Sequence, residues 1–273
     1  MKTIGLFAID CMNYELVNRA IHISCQNFNF DQITLFSDQK KDPSIPTIII
    51  PKITSTQDYS EFVIKKLHQF VNTDFALIIQ WDGYLINSNI WVDDFLNYDY
   101  IGAKWPFING KYRVGNGGFS LRSKYLLETV SILTSDIHIQ ENEDVYICQS
   151  IRENLEKHHN IKFAPESVAD IFSFERGDYI SETFGFHGLQ NIWRFISIDI
   201  AEKFIDMIDD YYWDRQEFIE CFIYYFLNGK QDLFLKMYKK TKSKINKKLL
   251  FAKLEELIQD KSLVNALILS GEN

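Results

Sequence analysis

The chain has 273 residues, 46% of them hydrophobic and 15% aromatic, with a formal net charge of −8. That composition supports a packed core and excludes a disordered chain. No run reaches the roughly 18 apolar residues of a membrane-spanning helix, and Cys11, Cys25, Cys148 and Cys221 lack the close spacing of a zinc site or a disulfide scaffold.

Residues 1–10 are too short an apolar segment for a signal peptide. They run into Asp10 with no small-residue cleavage site, and read as a first strand. The cytoplasm is the expected compartment. Residues 230–253 carry nine lysines and one acid, Asp232, so the rest of the chain is strongly acidic. An acidic body argues against a nucleic-acid partner. The lysine-rich segment suggests a local docking surface: peripheral contact with an anionic membrane, or simply a solvated helix face.

In chain order, 4–9 predicts a strand ending at Asp10. Apolar residues at Leu16, Val17, Ala20, Ile21 and Ile23 predict a helix over 13–26. A second strand is expected at 33–36, ending in Ser37-Asp38. Pro43 and Pro46 mark a loop before a third strand at 47–50. Residues 60–71 read as a helix. The five apolar residues of 75–79 read as a strand buried on both faces. This order predicts a doubly wound α/β sheet. No dinucleotide fingerprint and no P-loop is present.

Ligands of open α/β sheets bind beyond the carboxyl ends of the strands. Gln80-Trp81-Asp82-Gly83 follows the 75–79 strand, so Asp82 is a candidate to hold a divalent metal on phosphate oxygens, or else a residue that shapes a turn. Asp10 and Asp38 occupy two further strand ends. They meet a nucleotide's base or ribose, or are solvated acids.

After Asp82 the pattern changes. Residues 91–96 are amphipathic and 98–106 form an aromatic-rich connection. Gly115-Asn116-Gly117-Gly118 is a loop able to lie against a ligand. A strand is expected at 119–121 and a helix at 124–133, capped by Ser123. Glu143 and Asp144 open a helix expected to run to about 158. They serve either as simple N-terminal acids or as a general base facing substrate. Short strands are expected at 163–165 and 169–174. His187 lies in a loop of aromatics and glycines. From 199 the pattern is helical, over 201–210, 215–227, 232–240 and 245–259.

The order of these pieces resembles GT-A fold glycosyltransferases, and more closely a poorly characterised glycosyltransferase-like family. The strings that carry the resemblance are Gln80-Trp81-Asp82-Gly83, Tyr100-Ile101-Gly102-Ala103, Gly115-Asn116-Gly117-Gly118-Phe119-Ser120-Leu121-Arg122-Ser123, Glu143-Asp144 and Phe184-Gly185-Phe186-His187-Gly188. The resemblance covers about residues 1–198. It implies a GT-A-like catalytic domain over 1–198 with a mixed sheet flanked by helices; the helical C-terminal region over 199–273, read from its apolar spacing, lies outside the match.

The resemblance implies Mn2+ or Mg2+ held by Asp82 and His187 on the diphosphate of a nucleotide-sugar. Ala8, Asp10, Asp38, Gln80, Trp81, Asp82, Gly117 and Gly118 would line that donor. Gln80 stands where such enzymes carry the first Asp of an Asp-x-Asp motif. Asp144 matches the base of inverting members, with Glu143 beside it. Trp81, Tyr84, Trp105 and Phe186 are candidates to stack on sugars or to fill the core. Arg113 and Arg122 are candidates for phosphate contact or for salt bridges. The implied function is transfer of a sugar, from a UDP-hexose by analogy, to a hydroxyl of a glycan or lipid-linked acceptor. The alternatives are a nucleotide-sugar hydrolase or nucleotidyltransferase, and an inactive scaffold of the same fold.

Overall fold

The computed structural model describes residues 2–179, 181–258 and 262. The described chain divides into two compact units, the first ending at His187 and the second beginning at Gly188. The boundary expected after residue 198 thus falls within the second unit.

The first unit is built on a six-stranded sheet in the order β3-β2-β1-β4-β6-β5. Strands β1 (Ile4–Ile9), β2 (Gln32–Ser37), β3 (Thr47–Ile49) and β4 (Phe75–Ile79) are parallel. Strand β6 (Phe119–Ser123) runs antiparallel to β4, and β5 (Tyr100–Ile101) antiparallel to β6. Every residue of β1 and β4 is buried, as their unbroken apolar runs predict for strands covered on both faces. The mixed α/β sheet flanked by helices, followed by helices at the C-terminus, is the fold class read from the sequence.

Helix α1 (Tyr14–Asn27) buries Leu16, Val17, Ala20 and Ile21. Helix α2 (Thr56–Lys65) starts earlier than expected because Ser55 caps it, accepting the Asp58 backbone N–H. The expected 60–71 helix tightens after Lys65 into a 3-10 turn at Leu67–Phe70. Phe7, Phe36, Phe62, Val63, Ile78 and Leu127 share one apolar cluster of the core. Each such side chain contributes about 1.5–3 kcal/mol on burial. Helix α3 (Lys124–Leu133) begins where expected, with Ser123 Oγ accepting the Leu126 N–H.

Some expectations change. The amphipathic 91–96 stretch lies between and within two 3-10 turns, Ser88–Ile90 and Asp93–Asn97. Residues 169–174 were expected as strand, but α6 (Glu166–Phe172) is a helix and only β7 (Ser173–Phe174) is extended. Pro165 sits at the helix cap with extended backbone, and its fixed φ suits a helix entry that the apolar run alone does not signal. The helix expected to about 158 is interrupted. It comprises α4 (Glu143–Val145), a π-helical segment at Tyr146–Ser150, and α5 (Arg152–His159). Strand β8 (Gly185–Phe186) pairs in parallel with β7.

The second unit is helical: α7 (Ile192–Phe195), α8 (Ile198–Met207), α9 (Gln216–Leu227), α10 (Gln231–Thr241) and α11 (Lys247–Leu257). Phe222 and Phe226 of α9 meet the Phe234 ring of α10 at 5.1 and 5.5 Å. Gly229, at φ +78°, makes the turn between them. Lys240 and Lys253 are paired with Asp206 and Glu256, and Lys244 pairs with Asp210. Part of the basic character is therefore neutralised in place. Gln259, the last residue of the expected final helix, lies outside the described residues. Among the described residues no helix is long and apolar enough to cross a membrane.

Candidate functional site

Parallel register brings the strand ends together. Ala8 pairs with both Leu35 and Ile79, so Asp10, Asp38 and Gln80 emerge at one edge of the sheet. Antiparallel pairing of Ile79 with Phe119 returns Gly117 and Gly118 to the same edge. There the chain turns sharply. The Gln80 N–H donates to the Gly83 carbonyl at 2.9 Å and the Gly83 N–H to the Gln80 carbonyl at 3.1 Å, leaving Trp81 and Asp82 at the tip.

His187 packs onto this turn. A Cβ on Gly83 would come within 2.7 Å of its Cδ2, and a Cβ on Gly118 would overlap its ring. Both positions need glycine for close approach to the imidazole. His187 Nε2 lies 3.1 Å from Gln80 Oε1 and 3.7 Å from Asp82 Oδ1. Nδ1 lies 3.2 Å from Glu175 Oε1 and 3.0 Å from Asn116 Nδ2.

Burial opposes charge on His187, but Asp82, Glu175 and Asp144 outweigh it and raise the ring to about 9. With Nδ1 protonated, its N–H donates a hydrogen bond to Glu175 Oε1. Asn116 is 4% exposed, and its Oδ1 has no hydrogen-bond partner. Turning that amide would set Oδ1 against Nδ1–H and satisfy both groups. Asn116 holds a left-handed φ of +58°, a conformation that Asn tolerates better than most residues.

Asp144 lies across a cavity of about 200 Å³ lined by Tyr59, Gln80, Asn116, Gly118, Asp144 and His187. One Asp144 oxygen accepts the Gly117 N–H at 2.9 Å and the other the Val145 N–H at 2.8 Å. Glu143 is 3% exposed and binds Arg122 through both oxygens, at 2.8 and 2.9 Å. Arg122 is itself fully buried, with its guanidinium over the Tyr100 ring. Of the two contacts considered for Arg122, the salt bridge is the one present. Arg113 likewise pairs with Glu166 at 3.2 Å.

Asp10 accepts the Met12 and Asn13 N–H groups at 2.7 Å. Burial raises its carboxyl to about 6; those hydrogen bonds oppose the rise and the Asp82 charge adds to it. Asp38 accepts the Tyr14 hydroxyl at 2.8 Å. Burial pushes its carboxyl up, but this and other hydrogen bonds and Lys52 hold it below the ordinary range. Ala8 is fully buried inside β1. Trp81, Tyr84, Trp105 and Phe186 are all buried too. Glu175 escaped sequence reasoning. It lies in an unremarkable loop stretch, and only the fold brings it to His187.

The donor atoms around Nε2 suit a small divalent cation. Asp82 Oδ1 and His187 Nε2 are close enough to share one ion, and the side-chain amide oxygen of Gln80 adjoins the same nitrogen. Glu175 on Nδ1 is the kind of outer partner that orients a metal-binding imidazole. Among the described residues no group of three or more His, Cys, Asp and Glu side chains is arranged to hold a metal. The remaining ligands of such an ion would come from phosphate oxygens and water.

The chain belongs to the family described as "Protein of unknown function (DUF5672)", whose model matches residues 45–187. That match ends at His187, where the first compact unit ends. No curated protein matches the chain. Similar solved structures include a glycosyltransferase involved in the glycosylation of the major capsid of PBCV-1. It is 12% identical with a TM-score of 0.46, over 68% of this chain and 92% of that one. Apo-form GlyE of Streptococcus pneumoniae TIGR4, a glycosyltransferase, is 16% identical with a TM-score of 0.41, over 73% of this chain and 55% of that one. Glucosyl-3-phosphoglycerate synthase from Mycobacterium tuberculosis, solved with Mn2+, UDP-glucose and phosphoglyceric acid, is 9% identical with a TM-score of 0.33, over 46% of this chain and 58% of that one. The chain thus spans little more than half the length of the last two. Likeness at this level says nothing of this chain's chemistry.

Proposed function

We propose that the protein is a metal-dependent glycosyltransferase of GT-A type. It moves a sugar from a nucleotide-sugar, with a UDP-hexose as donor, to an acceptor hydroxyl with inversion. The observation that carries this is the convergence of Asp82, Gln80 and His187 Nε2 at the carboxyl end of β4, across a cavity from Asp144.

Asp82 and His187, assisted by Gln80, would hold Mn2+ or Mg2+. The ion's contribution is to offset the charge that gathers on the departing diphosphate. Asp10 and Asp38, at the adjoining strand ends, would meet the nucleoside. The backbone of Gly117 and Gly118 would lie under the diphosphate and sugar. Asp144 takes the proton of the acceptor hydroxyl. The acceptor oxygen bonds to the anomeric carbon as the bond from that carbon to the phosphate oxygen breaks, its electron pair leaving with the diphosphate. Gly117, donating to Asp144, orients the base. Glu143, held by Arg122, anchors the helix start that carries Asp144.

The test is Asp144→Asn, assayed for both nucleoside diphosphate and glycoside. Turnover is expected to fall at least about a hundredfold, the scale of a lost general base. Near-wild-type turnover would remove Asp144 from that role. Free sugar released without an acceptor would identify a hydrolase instead.

A further inference from the structure

We propose that a second cavity, on the Glu175 side of His187, is a saccharide site that holds the body of the acceptor. This rests on the glycosyltransferase reading above. The cavity, of about 320 Å³, is lined by Lys104, Arg113, Asp170, Ser173, Phe174 and Glu175 among others. That volume lies at the lower end of small-molecule sites. Glu175 joins it to the donor cavity, since the same side chain touches His187, which lines the other space.

Two polar atoms of this lining lack hydrogen-bond partners. Ser173 is 3% exposed and its hydroxyl is unpaired; the Nε of Arg113 is buried and unpaired as well. Buried polar atoms are seldom left this way, and a ligand is one explanation. One atom is a donor and the other can donate or accept, which matches sugar hydroxyls.

The charges favour a hydroxyl-rich ligand over an anion. Lys104 pairs with Asp170 at 2.7 Å and Arg113 with Glu166 at 3.2 Å. An anion would have to displace these carboxylates. A hydroxyl can donate to the carboxylate and accept from the cation without separating them. Phe174, half-buried, and Pro106 add apolar surface for the C–H face of a sugar ring.

The test is saturation-transfer NMR on the full chain with glucose, galactose, N-acetylglucosamine and lactose, each without nucleotide or metal. At least one sugar is expected to receive saturation and to keep it in the presence of inorganic phosphate. Ser173→Ala and Asp170→Asn are each expected to weaken that binding about tenfold. No saturation of any sugar, displacement by phosphate, or unchanged binding in both variants would overturn the proposal. Stabilisation by nucleotide with Mn2+ is measured separately in the same variants. If it persists while no sugar binds, only this inference fails. If sugars bind and no nucleotide does, the donor reading fails and the saccharide site stands.

Discussion

Glu175 Oε1 stands 3.2 Å from Nδ1 of His187, while Gln80 and Asp82 stand at Nε2, 3.1 and 3.7 Å away. One carboxylate therefore decides which ring nitrogen faces the sheet edge with a lone pair. Glu175→Gln keeps the size of the side chain and removes its charge. Mn2+ affinity, followed by electron paramagnetic resonance, is expected to fall by about 10- to 100-fold, the usual effect of losing an outer partner. An unchanged affinity would mean that Glu175 does not orient His187.

The same carboxylates set a pH dependence. With His187 raised to about 9, the metal-free ring is charged at neutral pH and must lose its proton when it binds a metal. Mn2+ affinity should rise about tenfold per pH unit below 9 and level off above it. The raised value also stabilises the folded metal-free protein. That contribution is complete below the ordinary imidazole value of about 6.5 and is lost as pH rises through 9. An NMR titration of the His187 ring checks the value directly. A midpoint near 6.5 would contradict it.

Glu143 and Arg122 form a pair with almost no solvent contact. Glu143→Gln leaves the buried guanidinium without its counter-charge and should cost about 3–5 kcal/mol of stability. Urea unfolding measures this. A small stability change combined with a selective loss of turnover would give Glu143 a direct part in the chemistry instead.

Gly118 lies so close to His187 that no side chain fits between them. Gly118→Ala should push the imidazole away from Asp82 and abolish Mn2+ binding. The variant should still unfold cooperatively. Retained Mn2+ binding would show that His187 is not a ligand.

The sheet was legible because its central strands are unbroken apolar runs, and each ends in a polar residue at the edge where ligands bind. The α3 start was legible from Ser123. Residues 169–174 misled because a short apolar run does not distinguish helix from strand. For the stacking candidates the sequence left two roles open, and burial favours the core. Trp81 and Trp105 flank polar loops in sequence, yet they are buried, and the Trp105 ring fills the space beside Gly115. Glu175 and Ser173 gain their significance from contacts across the fold, and no spacing in the sequence encodes those. Glu143 and Asp144 both line the cavity, yet Glu143 is buried against Arg122 while Asp144 accepts the Gly117 and Val145 N–H groups.

The most direct test of the account is thermal unfolding of the whole protein with UDP, GDP and CMP, each with and without Mn2+, repeated on Asp82→Ala. A ligand held only by the folded state raises its unfolding temperature. A rise with UDP that requires both Mn2+ and Asp82 is expected. No rise with any of the three nucleotides, or an equal rise in Asp82→Ala, would contradict it.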